Sequence, residues 1–143
     1  MSNYDVSRFV KAQERTHATA VQELRNGMKL THWSWWEIPQ IVGLGDSYTS
    51  QQYGIQDLGE AKAYLENETL RAHLLEICDA LLSLESNNAS MVMGSTDAMK
   101  LRSCMTLFSE ADPECEEFIK VLEKYYAGRK DRATLMILKR LGR

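Results

Sequence analysis

The chain has 143 residues, of which 44% are hydrophobic and 26% charged, with 17 basic against 20 acidic side chains for a formal net charge of −3. That apolar content is too high for a disordered chain, and the length suits one domain, residues 1–143, with one core. The negative balance has the wrong sign for a protein that coats nucleic acid. No stretch approaches the roughly 18 apolar residues of a membrane span, and Met1-Ser-Asn-Tyr-Asp-Val-Ser-Arg lacks a secretory h-region, so a cytoplasmic protein is expected. The three cysteines, Cys78, Cys104 and Cys115, are odd in number and lack metal spacing, as expected of free thiols in a reducing compartment.

Taken in chain order, helical periodicity begins near Asp5, with Val6, Phe9, Val10, Gln13, His17, Ala20, Val21 and Leu24 on one stripe and Asn26-Gly27 as the stop. Residues 28–56 hold all three tryptophans, Pro39, Gly43 and Gly45, and predict a short helix followed by a structured loop. Asp57 and Glu60 have capping-box spacing before a helix carrying Leu58, Ala61, Tyr64 and Leu65. A further helix runs from about Glu68, with Leu70, Leu74, Ile77, Cys78, Leu81 and Leu82 inward. Ser86-Asn-Asn predicts a turn, and Gly94-Ser-Thr-Asp leads into a helix over about 96–111. Asp112 as cap, Pro113 as first helical residue and Glu114, Glu116 and Glu117 in the first turn predict the next helix, ended by Gly128. Asp131 caps the last, with Leu135, Leu138 and Leu141 on its apolar side. With no convincing strand pair or repeat, the expected fold is all-α, six or seven helices around a structured Trp-rich segment.

Two stretches carry candidate chemistry. In Thr31-His-Trp-Ser-Trp-Trp-Glu-Ile-Pro-Gln40, burying all three indoles against one core is geometrically awkward. Trp33 or Trp35 beside His32, Glu37 and Gln40 would suit a planar base or a sugar; core packing beneath a loop is the simpler alternative. In Gly94-Ser-Thr-Asp-Ala-Met-Lys100-Leu-Arg-Ser103, Lys100 falls in the first turn of a helix, where a cation is disfavoured unless an anion lies nearby. Lys100 and Ser103 could then hold a phosphate or carboxylate, and a solvated lysine balanced by Asp97 is the alternative. The two stretches are expected to meet around a partly open pocket walled by Trp33 or Trp35, with Lys100 and Ser103 at its polar end, Tyr53 near its rim, and His32, Gln40, Ser47, Asp97 and Thr106 as further polar groups. If an N-glycosidic bond is cleaved there, a carboxylate such as Glu37, Asp97 or Asp131 would have to stabilise the developing charge or activate water.

Other motifs carry less. Glu14-x-x-His17 lacks the second pair and the further carboxylates of a di-iron bundle, Gly43-Leu-Gly45 lacks the rest of a dinucleotide fingerprint, and no metal site or cofactor is indicated. His17 and His73, isolated on helices, read as packing or surface residues. The C-terminal cluster Arg129, Lys130, Arg132, Lys139, Arg140 and Arg143 reads as a solvated face that complements helix dipoles, with weak RNA binding as the alternative.

From Tyr4-Asp5-Val6-Ser-Arg8-Phe9-Val10, through His32-Trp33-x-Trp35, Pro39-Gln40, Gly43-Leu44-Gly45-x-Ser47, Tyr53-Gly-Ile55 and Glu60-Ala61-x-Ala63-Tyr64-Leu65, to Lys100-Leu101-Arg102-Ser103 and Met105-Thr106-Leu107-Phe108, the chain resembles the bacterial family called domain of unknown function 1810. It departs at Trp36-Glu37-Ile38, where the family usually has Phe-Ile-Phe, and at Cys104, where Ser is usual. The resemblance implies an all-α cytosolic protein with no established activity. The calpastatin label carried by some members does not suit this apolar-periodic chain. A remote likeness in layout to the NADAR family, whose members act on N-glycosidic or ADP-ribosyl groups, implies a small-molecule ligand of nucleotide, ribose or ADP-ribose type. A non-catalytic interaction module using the Trp33–Trp36 surface, and a homo-oligomer, are the remaining expectations.

Overall fold

A computed structural model describes residues 4–142, and these form nine helices. The chain starts with α1 (Ser7–Arg25), whose face Phe9, Gln13, His17, Ala20, Val21 and Leu24 is buried. Its end follows from Gly27 at φ 82°, a left-handed position that spares a side-chain clash, with Met28 N–H donating to Glu23 O and Gly27 N–H to Leu24 O. The Trp segment then supplies α2 (Ser34–Glu37) and α3 (Tyr48–Gln52). The loop between them is pinned by an isolated parallel bridge between Ile41 and Ile55, with Val42 N–H to Ile55 O at 2.8 Å and Ile55 N–H to Gln40 O at 2.8 Å. Gly54 permits this close approach, since a Cβ there would stand 2.9 Å from Ser50 O and 3.0 Å from Val42 Cβ.

Asp57 and Asn67 then cap α4 (Leu58–Glu66) and α5 (Glu68–Leu82), accepting from Glu60 N–H and Leu70 N–H. Glu60 turns back to accept from Gln56 N–H at 2.8 Å and to pair with Arg8 at 3.0 Å, which ties α1 to α4. The short α6 (Ala89–Met93) precedes α7 (Ser95–Ala111), the central helix. From Leu101 to Ser109 only Arg102 of α7 is not buried, because α4, α6, α8 and α9 pack around it. Two of its buried hydroxyls are satisfied within the helix, Thr106 donating to Arg102 O and Ser109 to Thr106 O, while the single hydroxyl hydrogen of Ser103 lies within reach of both Met99 O and Asp131 Oδ2. The chain closes with α8 (Glu116–Tyr126) and α9 (Arg132–Leu141).

The all-α expectation holds, with two differences. Nine helices replace six or seven because α3 and α6, five residues each, are too short to show a periodic face. The helix expected to start at Asp112-Pro113 starts at Glu116 instead. Asp112 is the C-cap of α7, its N–H bonded to Phe108 O and its carboxylate paired with Arg71 at 3.2 Å, so 113–115 form the turn. The core is continuous, from Phe9 and Leu24 through Trp33, Tyr64 and Phe108 to Phe118 and Leu122. Cys78, Cys104 and Cys115 are all free and buried, and burial pushes each thiol up, away from thiolate chemistry. No helix among the described residues is long and apolar enough to cross a membrane.

Candidate functional site

The three tryptophans part company within one turn of α2. Trp33, its N-cap residue, is 1% exposed and donates its indole N–H to Glu23 Oε1 at 3.0 Å. Glu23 also accepts from Leu30 N–H, Thr31 N–H and Thr31 Oγ1. Burial works against that carboxylate, but the hydrogen bonds from Thr31, Leu30 and Trp33 hold it at about 2. Trp36 faces inward on the other side, donating to Thr16 Oγ1 at 2.9 Å. Trp35 is left half-buried, and it lines a cavity of about 350 Å³ with Gln40, Leu44, Thr96, Met99, Lys100, Ser103 and Asp131.

Lys100 Nζ lies 3.9 Å from the centroid of the Trp35 ring and 3.1 Å from Asp97. Asp97 also receives Lys29 Nζ at 2.9 Å, and that ammonium lies 4.7 Å from the Trp33 ring. Burial pushes the Asp97 carboxyl up; the hydrogen bonds and charges of Lys29 and Lys100 more than offset it and leave it below the ordinary carboxylate range. One carboxylate is thus shared between two ammonium groups. Opposite, Asp131 caps α9 through Oδ2, which accepts from Ser103 Oγ at 3.0 Å, Thr134 N–H at 3.2 Å and Thr134 Oγ1 at 2.5 Å. Asp131 Oδ1 has no hydrogen-bond partner among the described residues.

The residues singled out from the sequence therefore divide. Trp35, Gln40, Lys100, Ser103 and Asp131 converge on one cavity. Tyr53 lies behind it, with Trp35 and Gln40, in a narrow recess of about 10 Å³. Trp33 belongs to the core and not to the cavity wall, because its N–H finds its partner in the buried Glu23. His32 is exposed outside the lining, Ser47 caps α3, and Thr106 is wholly buried, accepting from Asp131 N–H at 2.8 Å. Asp97 acts through the lysines. Leu44, Thr96 and Met99 were not foreseen as lining; apolar and small residues without a charge leave no mark in a sequence. A larger depression of about 640 Å³ lies beside Arg8, but all five guanidinium N–H groups there are engaged by Asp5 O, Gln52 O, Gly54 O and Glu60.

A second polar cluster overturns the expectation that His17 and His73 stand isolated. His17 Nδ1 lies 2.8 Å from Glu37 Oε1 and its Nε2 2.6 Å from Glu76 Oε1, while the His73 ring stacks on it at 3.6 Å and 14°. Glu37, a charge in an otherwise apolar run, is buried because Thr16 and His17 both bond it. Gln13 donates to Trp36 O at 2.8 Å and to the Tyr64 hydroxyl at 2.9 Å, and its Oε1 faces His73 Nδ1 at 2.8 Å. No group of three or more His, Cys, Asp or Glu among the described residues is arranged to hold a metal ion.

Among curated proteins no match is found. The crystal structure of the conserved hypothetical protein Rv1873 from Mycobacterium tuberculosis is similar, at 39% identity and a TM-score of 0.92, over 95% of this chain and 97% of that one. Neither comparison carries the calpastatin label or the NADAR likeness. Residues 3–138 match the family described as Protein of unknown function (DUF1810), and the chain belongs to that family.

Proposed function

We propose that this protein binds a small anionic molecule of nucleotide, ribose or ADP-ribose type in the cavity between Trp35 and α7. The observation that carries this is the pairing at Lys100: two ammonium groups share the single carboxylate of Asp97, so Lys100 at the cavity edge is only half matched within that ion-pair group, while Asp131 lines the cavity without an ion pair to either lysine. A volume of about 350 Å³ lies within the usual range for small-ligand sites, and a mostly apolar lining with a few convergent polar groups is the usual composition. Lys100 would hold the anionic group, Trp35 and Met99 the less polar body, and Gln40 and Ser103 the hydroxyls. Should an N-glycosidic bond be cleaved, Asp131 is the carboxylate in position. Its Oδ2 is fixed by three donors while Oδ1 is unpartnered, whereas Asp97 is held between lysines and Glu37 belongs to the histidine cluster. The interaction-module reading loses its main anchor with Trp33 in the core.

The test is a titration of nucleotides, ribosides and ADP-ribose against tryptophan emission. Saturable quenching by at least one anionic member is expected. Lys100→Ala should weaken it about tenfold or more, the usual cost of one charge-assisted hydrogen bond. Asp131→Asn should leave binding in place and remove any hydrolysis. Absence of binding by every anionic member to a folded protein contradicts the proposal.

A further inference from the structure

The histidine cluster lies outside that cavity and has a chemistry of its own. An imidazole whose two ring nitrogens both face carboxylate oxygens bonds both only when doubly protonated, because an ionised carboxylate accepts and does not donate. His17 is in this position, between Glu37 of α2 and Glu76 of α5. His73 has the position of one hydrogen fixed, whichever its charge. Gln13 Nε2 must be the amide nitrogen, since it faces the Trp36 carbonyl, so Gln13 Oε1 is an acceptor and His73 Nδ1 carries the hydrogen. With Nδ1–H in place, a neutral His73 ring lies over a charged His17 ring at 3.6 Å, and a second proton would stack two cations.

We infer that the His17–His73 pair is a one-proton sensor, in which gain of a second proton or loss of the one it holds alters how the Trp segment is fastened to α1 and α5. The groups that face it are complete: Glu37 from α2, Glu76 from α5, and Thr16 and Gln13 from α1, with the Tyr64 hydroxyl of α4 beyond Gln13. No lysine or arginine among the described residues is ion-paired to either carboxylate. Burial works against a charged His17, but Glu37 and Glu76 outweigh it and raise its pKa; burial and the charge of His17 lower that of His73. The two values therefore fall on opposite sides of 6.5, and between them the pair holds one proton.

The two limbs differ in what they release. As pH rises, the proton lost is the one facing Glu76, whose side chain is 47% exposed and can turn to water; Glu37, wholly enclosed, keeps the Nδ1 hydrogen. As pH falls, His73 gains its proton at Nε2, the stack of like charges opens, and Gln13 loses the partner that orients it toward Trp36 O. The acid limb thus reaches Trp36, next in sequence to Trp35 of the cavity. The sensor does not depend on any ligand for that cavity.

The test is an NMR titration of the wild-type chain labelled in its histidine rings, from about pH 4.5 to 9, with the indole N–H of Trp36 followed alongside. Two distinct histidine midpoints, one above and one below 6.5, are expected, and the Trp36 N–H signal should move with the lower one. Glu76→Gln, a half-exposed position, should shift the upper midpoint down and leave the lower limb of the Trp36 response. His73→Gln, which keeps a donor for Gln13, should abolish that limb. Coincident midpoints, or a Trp36 signal that ignores the lower one, overturn the inference.

Discussion

The two polar clusters around the Trp segment are mirror images in charge. At Asp97 one carboxylate lies between two ammonium groups, Lys29 and Lys100; at His17 one imidazolium lies between two carboxylates, Glu37 and Glu76. The first borders a cavity and leaves a positive charge over, which suits an anionic ligand. The second leaves a negative charge over, which suits a proton. Less than one turn of helix, α2, separates Trp35 at the first from Glu37 at the second. What differs is the sign of the surplus charge.

Removing the shared central ion should hurt most where it is buried. His17→Ala leaves Glu37 enclosed without a counter-charge, and a loss of roughly 3–5 kcal/mol in chemical denaturation is expected. Glu23→Ala, which cuts the anchor of Trp33, should cost on the order of 3 kcal/mol at neutral pH, since its carboxyl is lowered from 4.5 to about 2.

The clusters should also fail on opposite flanks of a stability profile. The His17 contribution is complete below 6.5 and fades as pH rises through its raised value; the Asp97 contribution is complete above 3.8 and fades as pH falls through its lowered one. Denaturation midpoints measured between about pH 3 and 9 should show Lys29→Ala altering the acid flank and Glu76→Gln the alkaline one. A profile in which both variants alter the same flank contradicts the division. The smallest effect is expected at Lys100→Ala, about 1 kcal/mol or less, because a partly exposed pair and one cation–π contact contribute little. A much larger loss would make Lys100 a structural residue and not a ligand-binding one.

How much of this was legible in the sequence follows from range. The α1 stripe, its Gly27 stop and the caps at Asp57 and Asp131 are local features, and all appear where their spacing places them. The convergence of Trp35, Gln40, Lys100 and Ser103 followed from counting polar groups that a core would have to satisfy. The choice between Trp33 and Trp35 is open in the sequence because the partner that draws Trp33 into the core, Glu23, looks like any helix-end acid until the chain turns back on it. The histidine cluster was missed for the same reason: His17 and His73 lie 56 positions apart and only the α1–α5 packing brings them together. One signal was present. Gln13 and His17 sit on the same stripe as Phe9, Ala20 and Val21, and two polar residues on a buried face need partners from another helix.

The most direct measurement on the central claim is a crystal structure of the protein soaked with the tightest-binding anionic riboside from the emission titration. Ligand density between Trp35 and Asp131, with the anionic group within hydrogen-bond distance of Lys100 Nζ, is the result expected. Density in the larger depression beside Arg8, with the Trp35 cavity empty, would contradict it.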